Sequence, residues 1–535
     1  MKSRNLLRVG ASALAVAGLF LAASGASADP NYRPYKYGIT PIDPSLPIPH
    51  VGPYTGQYVA PLTSRSGKWK YVGNLPFTSG PWNAKLLTDG TVLVDDSCTS
   101  QWYKLTPDGK GKYEDGTWSV IAAMPSGYSP LYFASQVLPD GRLIMNGGEY
   151  NGSGCIAVWT KLGALYDPVK NKWTSVAAPT GWGSIGDAES VLLPDGTYML
   201  ADCCDSSQAL ASISGTTVTW TAQTGYGNND EEAFTPLPNG DVLLVDVWKT
   251  GSNYDDYEIY DTAAGTWSLA GQTPDLLTTS AKELGPAPLT PIYGRRGTII
   301  QFSANSSSGV SDIYDIASGT WASGPVMEVA GTIYDCADAP AATLPDGNVL
   351  VQASPGVYKS PSHFWEFTIS KLGQVTATQV DDPKGASNDP SYAGSFVMLP
   401  TGQALWDDFT LVATYTPKGR PKGKWLPVVS SVSSTLTVGS SGNAISGTNF
   451  NGFSLGASYG DDGQMSTNFP LVRITNNTTG DVCFGRSYNF STMGVWTRGT
   501  TSAEFDIPAS CETGASTLQV VVNGIASAGT AVTLS

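Results

Sequence analysis

Acidic residues stand just before several predicted inner strands of this chain, at places that a repeat would bring together. Asp187, Glu231 and Asp338 each lie nine residues before the glycine of the next turn. We therefore expect their side chains to face the same rim of the fold that the repeats build. Converging carboxylates bind a hard cation such as Ca²⁺, and they also suit a cationic or hydroxyl-rich ligand. The competing interpretation is that these acids only solvate the rim. The other acids of these loops are Glu189, Asp230, Glu232, Glu283, Asp335 and Asp389.

Aromatic residues occur in the same class of loop, and they include Trp82, Tyr132, Phe133, Trp182, Tyr226 and Tyr334. Aromatic rings among carboxylates are typical of sugar sites, although such rings also cap protein cores. We therefore predict a ligand-binding rim whose members are Asp187, Glu189, Asp230, Glu231, Glu232, Asp335, Asp338, Trp82, Tyr132 and Tyr392. If calcium binds, Asp187, Glu231 and Asp338 are its expected ligands.

Hairpin turns of one kind recur through most of the chain and must position these residues. The clearest is Leu193-Pro194-Asp195-Gly196 between two apolar runs, a strong hairpin signal because glycine tolerates positive φ. There are seven such turns, and the one at Ile292 to Gly297 has diverged from the common sequence. Their glycines lie 51, 55, 44, 57, 50 and 55 residues apart. A period near fifty with four short strands predicts an all-β fold, a seven-bladed β-propeller.

A second motif runs between the turns. Tyr166-Asp167 precedes Trp173, Tyr260-Asp261 precedes Trp267, and Tyr314-Asp315 precedes Trp321, always with five residues between Asp and Trp. With the hairpins, this pattern resembles the kelch repeat over roughly residues 66–425. The resemblance implies a kelch-type propeller and says little about function.

The repeat stops after Leu426, and alternating segments such as Leu518 to Val522 predict a small β-sandwich over residues 426–535. The segment Ile445 to Phe450 resembles immunoglobulin-like folds, and Gln464 to Arg473 resembles the immunoglobulin-like domain that follows the propeller in the galactose oxidase family. Which strand completes the last blade stays open: residues 67–72 with Trp69, or the segment of Trp425.

The galactose oxidase resemblance implies a copper held by two tyrosines and two histidines, but this chain does not match those ligands. Tyr392 stands at the place of one tyrosine, whereas Ala393 replaces the adjoining histidine. The C-terminal domain offers Tyr459-Gly460-Asp461-Asp462 and no histidine, and the two histidines of the chain are His50 and His363. Copper is therefore not expected, and we predict no catalytic residue.

The seven cysteines are typical of an oxidising compartment. We predict disulfide bonds between Cys483 and Cys511 and between Cys98 and Cys155. Cys203 and Cys204 could bond to each other, or one of them could reach Cys336.

The first 28 residues have a basic start, an apolar run and a small-residue cleavage site, and so predict a signal peptide and a secreted or periplasmic protein. A proline-rich arm follows over residues 29–65. The formal net charge is -15 and basic residues do not cluster, so we expect no nucleic-acid partner. No segment after the predicted signal peptide approaches eighteen apolar residues, so we expect no membrane span.

These observations favour a non-catalytic binding protein for a carbohydrate or another cell-surface ligand. One alternative is an enzyme, either a diverged galactose oxidase-like oxidoreductase or a glycoside-active enzyme with paired carboxylates such as Glu189 and Glu232. The second kind of enzyme would require two carboxyls about 5 to 9 Å apart. Another alternative is an envelope scaffold whose C-terminal domain binds a partner.

Overall fold

A computed structural model describes residues 67–152, 154–225, 227–248, 256–279, 283–292, 296–370 and 373–535. The predicted signal peptide, the proline-rich arm, His50 and Tyr226 lie outside these ranges. Within them the protein is all-β, and helix is limited to three 3₁₀ turns: Ala386–Asn388, Ser391–Ala393 and Gly423–Trp425. No helix of the described residues has the length and hydrophobicity needed to cross a membrane.

Seven antiparallel sheets of four main strands follow one another through the described residues, with the strand order of β-propeller blades. We number them sheet 1 to sheet 7. Sheet 1 contains Pro81–Leu86, Val92–Asp96, Trp102–Thr106 and Thr117–Val120; sheet 2 contains Ala134–Val137, Leu143–Asn146, Gly163–Asp167 and Lys172–Val176; sheet 3 contains Ser190–Leu192, Tyr198–Ala201, Ser207–Ser214 and Thr217–Thr224. Sheet 4 contains Thr235–Pro236, Val242–Asp246, Asp256–Asp261 and Thr266–Gln272.

The remaining sheets of the series have the same order. Sheet 5 contains Leu289–Thr290, Thr298–Gln301, Val310–Asp315 and Thr320–Val329, with Thr332–Tyr334 added at its edge; sheet 6 contains Ala341–Thr343, Val349–Ala353, His363–Ile369 and Val375–Val380; sheet 7 contains Ser395–Met398, Ala404–Asp407, Val412–Thr416 and Lys68–Tyr71. A small extra sheet beside sheet 2 contains Pro130–Leu131, Tyr150–Asn151 and Ile156–Ala157.

The predicted hairpins join the first and second strands of these sheets. At the turn of sheet 3, the amide of Gly196 donates to the carbonyl of Leu193 at 2.8 Å, and Gly196 has a φ of 86°. The first and second strands are almost entirely buried, so the hairpins form the core side of each sheet.

The repeated tyrosine and tryptophan pack on the third and fourth strands. Tyr166 pairs in register with Trp173 and their rings are 4.8 Å apart; Tyr314 and Trp321 repeat this at 4.9 Å. Their fixed spacing thus reflects direct cross-strand contacts.

The N-terminal strand completes sheet 7. Lys68–Tyr71 pairs antiparallel with Val412–Thr416, and the indole nitrogen of Trp69 donates to the carbonyl of Asp381 at 2.6 Å. Trp425 is instead buried in a 3₁₀ turn, so the first of the two alternatives is the one adopted.

The C-terminal residues form a larger sheet and also reach into the series. That sheet contains Val428–Val432, Thr435–Leu436, Asn443–Thr448, Leu471–Asn476, Val482–Tyr488, Thr501–Asp506, Gly514–Val522, Ile525–Ala526 and Thr530–Leu534. Ala457–Ser458 leaves it and pairs with Ala341–Thr343 of sheet 6. The loop that follows this short strand therefore enters the interior beside the first strands.

Three disulfide bonds are present: Cys98 with Cys155, Cys483 with Cys511, and Cys203 with Cys204. The first two are the predicted pairs, and the third selects the vicinal alternative. Cys336 is a buried free thiol.

Candidate functional site

Eight carboxylates of the described residues converge where the loops before the first strands meet the C-terminal loop and the start of the extra sheet. We call them the carboxylate cluster: Glu149, Asp187, Asp230, Glu231, Glu283, Asp338, Asp461 and Asp462. Asp187, Glu231 and Asp338 belong to it, as their common position nine residues before a turn glycine predicts. Tyr132 occupies the same position before Gly141 and lies beside the cluster, a correspondence that the sequence analysis missed.

Glu231, Glu283 and Asp338 form the tightest part of the cluster. Each offers a carboxylate oxygen, and these three oxygens lie within 4.8 Å of one another. Asp338 is hydrogen-bonded to both glutamates. The backbone supports this arrangement, because the amide of Leu284 donates to the carbonyl of Glu231 at 3.1 Å. Glu231 and Asp338 both have left-handed backbones, with φ of 62° and 44°, a conformation that concentrates at functional sites.

Asp187 and Asp230 form a second group. Their carboxylate oxygens and the sulfur of Cys203 also lie within 4.8 Å of one another. The backbone amide of Cys203 donates to the carbonyl of Ile185 at 2.9 Å and so holds this part of sheet 3 against the loop of Asp187. Since Cys203 is bonded to Cys204, only the two carboxylates are ready ligands.

The C-terminal loop contributes Asp461 and Asp462, which are 3% and 1% exposed. Both carboxylate oxygens of Asp462 and one of Asp461 have no hydrogen-bond partner in the described part of the chain. Neither acid is among the predicted rim residues, because the sequence marks this segment only by its lack of a histidine. They come from outside the repeat, so no repeat position could reveal them.

Lys85 holds this loop in place. Its Nζ donates to the carbonyl of Gln464 at 2.8 Å, to that of Gly463 at 3.3 Å, and to the side chain of Asn83. Burial lowers the pKa of Lys85 to about 7, against the opposing charges of Asp462, Asp95 and Asp407. The loop is also fixed by Tyr459, whose hydroxyl donates to the carbonyl of Tyr392 at 2.8 Å.

Burial and mutual repulsion make the cluster costly to ionise. Burial raises the pKa of Asp187 to about 7, helped by the charge of Asp338, and burial raises the pKa of Asp338 to about 6. Burial and the charges of Asp187 and Asp338 raise the pKa of Asp462 well above its usual range. Protons neutralise the carboxylates when no cation is present. A bound cation would displace these protons and offset the repulsion between the carboxylates.

Four tyrosines line one side of the cluster, and we call them the tyrosine row: Tyr150, Tyr132, Tyr392 and Tyr358. Successive ring centroids are 6.1, 6.5 and 6.0 Å apart. The hydroxyl of Tyr132 is buried without a hydrogen-bond partner among the described residues. Tyr358 is 83% exposed, so the row leads from the buried acids to solvent.

Several predicted rim residues lie deeper than expected. Trp82 is fully buried against Tyr132 and Tyr459, so it caps the core. Glu189 and Glu232 are also fully buried, and Glu232 accepts a hydrogen bond from the amide of Val247. Asp335 is buried and accepts from the amide of Ser306 at 3.0 Å.

The donors at the cluster do not fit copper. Tyr392 is near, but His363 lies on sheet 6, where its Nδ1 is 2.7 Å from a carboxylate oxygen of Asp382. The cluster offers only oxygen donors, which suit Ca²⁺, Mg²⁺ or Mn²⁺ and not the nitrogen-rich geometry of Cu(II).

Between pH 5 and pH 7 the protein is expected to lose thermal stability as the pH rises. Burial raises the pKa of Asp335 and of Asp407 to about 7, whereas an unfolded carboxyl titrates near pH ~4. The folded protein then binds more protons than the unfolded chain, so the free energy of unfolding falls by about 1.4 kcal/mol per pH unit for each such group. Calorimetry across this window with a chelator present measures the slope.

The variant Asp407→Asn should show a shallower slope, because its side chain no longer titrates. A melting temperature that is constant or rises with pH across this window would contradict the assignment.

Comparison with known proteins gives likenesses of structure alone. No family model matches the chain, and no curated protein matches it. Among solved structures, it is similar to a fungal alcohol oxidase of the AA5 family in complex with copper, with 14% identity over 88% of this chain and 100% of that one, at a TM-score of 0.48.

It is also similar to a catalytically inactive virginiamycin B lyase from Staphylococcus aureus with quinupristin, with 7% identity over 65% of this chain and 99% of that one, at a TM-score of 0.45. A third is YCF48 bound to D1 peptide, with 13% identity over 67% and 97% of the two chains, at a TM-score of 0.41. At these identities and scores no residue role is transferred from any of them.

Proposed function

We propose that this chain is an exported, non-catalytic binding protein that holds Ca²⁺ in the carboxylate cluster and binds a hydroxyl-rich carbohydrate there. The observation that carries the proposal is the group of Glu231, Glu283 and Asp338, whose ligand oxygens lie within 4.8 Å of one another. Two oxygens bound to one Ca²⁺ at about 2.4 Å can be at most about 4.8 Å apart, so every pair of oxygens in this group is within the limit for a shared ion.

The charge balance supports a bound cation. Eight carboxylates converge, and Lys85 is the one buried base whose charge reaches them among the described residues. A buried carboxylate stays ionised only when a positive charge lies close to it. Without such a charge its pKa rises and it takes up a proton. A hard divalent cation supplies the missing positive charge with the ligand type that it prefers.

The tyrosine row supports a carbohydrate ligand. Tyrosine combines an apolar ring with a hydroxyl that can donate and accept hydrogen bonds. The ring of exposed Tyr358 lies 6.0 Å from that of Tyr392, and the charges of Asp338 and Glu283 act on its hydroxyl. A sugar that stacks on Tyr358 would therefore lie beside the acids and their ion. Ca²⁺ takes six to eight oxygens, which leaves positions for ligand hydroxyls.

We also propose that the seven sheets are the blades of a kelch-type propeller and that residues 426–535 form an immunoglobulin-like domain. The strand order within the sheets, the cross-strand tyrosine–tryptophan pairs and the completion of sheet 7 by the N-terminal strand support the first part. Export after removal of residues 1–28 is supported by the disulfide bonds.

The alternatives have less support. Glu189 and Glu232 are fully buried, so a sugar bond would not reach them as a hydrolytic pair. For the scaffold interpretation, deletion of residues 427–535 would remove Asp461 and Asp462 from the cluster. Such a deletion therefore could not separate partner docking from ligand binding.

The proposal predicts that the purified protein binds Ca²⁺ tightly enough to stabilise the fold. We expect bound calcium in elemental analysis, its loss on dialysis against a chelator, and a melting temperature that rises when Ca²⁺ is restored, since a ligand of the folded state alone stabilises it. A glycan array probed with and without chelator then tests the second half. Tyr358→Ala should lose glycan signal and keep calcium.

Absence of calcium binding would overturn the cation half of the proposal. Stoichiometric copper would overturn the non-catalytic assignment and direct attention to Tyr392. Calcium binding with no glycan signal above the chelator background would overturn the carbohydrate half.

A further inference from the structure

We propose that the carboxylate cluster holds two divalent cations, one between Glu231, Glu283 and Asp338 and a second at Asp187 and Asp230, with Asp461 and Asp462 between them. This inference rests on the proposed cation binding and adds a second position and a bridging role for the C-terminal loop.

The cluster contains two separate sets of mutually close oxygens. The set of Glu231, Glu283 and Asp338 comes from the loops before sheets 4, 5 and 6, and the pair of Asp187 and Asp230 comes from those before sheets 3 and 4. Within each set the oxygens lie within 4.8 Å, the largest separation that one ion at about 2.4 Å can span. Adjacent residues Asp230 and Glu231 divide between the two sets, so neighbouring positions of one loop serve different ions.

Asp462 has a buried carboxylate without hydrogen bonds to any described residue. It is 1% exposed, and neither of its carboxylate oxygens has a hydrogen-bond partner within the described ranges. A buried carboxylate without partners is costly, and native proteins compensate such groups with hydrogen bonds, ions or metals. Asp462 therefore points independently to a bound cation.

Asp461 and Asp462 lie close enough to both sets to act on their charges. Each interacts electrostatically with Asp187 of the second set and with Asp338 of the first. A carboxylate has two oxygens and can bind one ion through each of them, which is how paired metal ions about 3.5 to 4 Å apart are held. We therefore assign the bridging role to the C-terminal loop, whose two buried acids act on both sets.

The negative charge of the cluster also favours a second ion. One divalent ion together with Lys85 offsets three of the eight negative charges in the cluster, and a second ion offsets two more. A pair of ions also presents two adjacent positions to a ligand, which matches neighbouring hydroxyls on a sugar ring.

The test uses Mn²⁺ as a paramagnetic substitute for Ca²⁺ on the whole purified chain. We expect two Mn²⁺ per chain by titration calorimetry and elemental analysis, and an electron paramagnetic resonance spectrum broadened by coupling between neighbouring ions. Asp187→Asn should retain one Mn²⁺ and give the six-line spectrum of an isolated ion. Asp230→Asn provides a second removal of the same position, in case one variant folds poorly.

Asp115→Asn is the matched control, because it removes the same charge from an exposed turn of sheet 1 and should bind two ions. One ion per wild-type chain would overturn the second site and leave the proposed function intact. Two ions in both Asp187→Asn and Asp230→Asn would place the second ion elsewhere and equally overturn the inference. No ion at all would overturn the proposed cation binding itself.

Discussion

Replacing Asp338 with asparagine is expected to abolish tight Ca²⁺ binding and to stabilise the cation-free protein at the same time. Asp338 is hydrogen-bonded to Glu231 and Glu283, and its charge raises the pKa of carboxyls across the cluster. Asparagine retains the shape of the side chain but removes the charge. We expect the dissociation constant to rise at least about 100-fold, or about 2.7 kcal/mol.

The fold should tolerate this change. Asp338 has a φ of 44°, in the left-handed region where asparagine is one of the few favoured residues. The asparagine amide can accept from one glutamate and donate to the other, so neither hydrogen bond needs to be lost. Removing one of several repelling charges then raises the melting temperature in chelator.

Titration calorimetry with Ca²⁺ and melting curves in chelator measure the two effects on one sample. Asp115→Asn again serves as the control of equal charge, with affinity and melting temperature expected near wild type. If Asp338→Asn bound Ca²⁺ as tightly as wild type, the cluster would not be the cation site. If it bound weakly but melted far lower in chelator, the loss would reflect damage to the fold.

The parts of the fold that the sequence predicts best are those fixed by contacts within one repeat. The turn of Gly196 forms because its hydrogen bonds are local, and Trp173 follows Tyr166 at a fixed distance because the two pair directly across neighbouring strands. Asp187, Glu231 and Asp338 come together for the same reason, because each lies nine residues before the glycine of its hairpin. Local geometry is therefore readable from spacing alone.

The parts that the sequence does not predict depend on contacts between distant segments. Asp461 and Asp462 reach the cluster because Ala457–Ser458 pairs with sheet 6, a pairing that no repeat encodes. Glu149 arrives through the extra sheet beside sheet 2. Conversely, Trp82 belongs to the predicted rim but is buried, because the C-terminal loop places Tyr459 against its ring. The repeats therefore do not encode the insertion of the C-terminal loop among the seven sheets.

We expect substitution of Lys85 to destabilise the insertion of the C-terminal loop more than any other single change. Substitution by methionine, which has a similar length and no charge, removes the Lys85 donor from the carbonyls of Gly463 and Gln464. The carbonyl of Gln464 then retains only the hydroxyl of Ser135, at 3.1 Å, among these donors. The substitution also leaves Asp462, Asp95 and Asp407 without the positive charge that faces them. Removal of one partner from a buried set of charges costs about 3 to 5 kcal/mol, so Lys85→Met should unfold at a much lower urea concentration.

Lys110 provides a matched control. Its Nζ donates to the carbonyl of Thr479 at 2.8 Å, so it also joins the first sheet to the C-terminal residues, but it is exposed. Because an exposed contact of this kind contributes little, Lys110→Met should change stability by less than about 0.5 kcal/mol. Equal urea midpoints for the two variants would mean that Lys85 does not anchor the loop.

Cation binding distinguishes the anchoring role from a general loss of stability. Lys85→Met should bind Ca²⁺ more weakly at temperatures where circular dichroism shows a folded protein, because Asp461 and Asp462 are no longer held against the other acids. The removal of a nearby positive charge acts in the opposite direction and would by itself strengthen binding. The sign of the change in affinity therefore decides between the two effects: weaker binding shows that Lys85 positions the loop, and stronger binding shows that its charge alone matters.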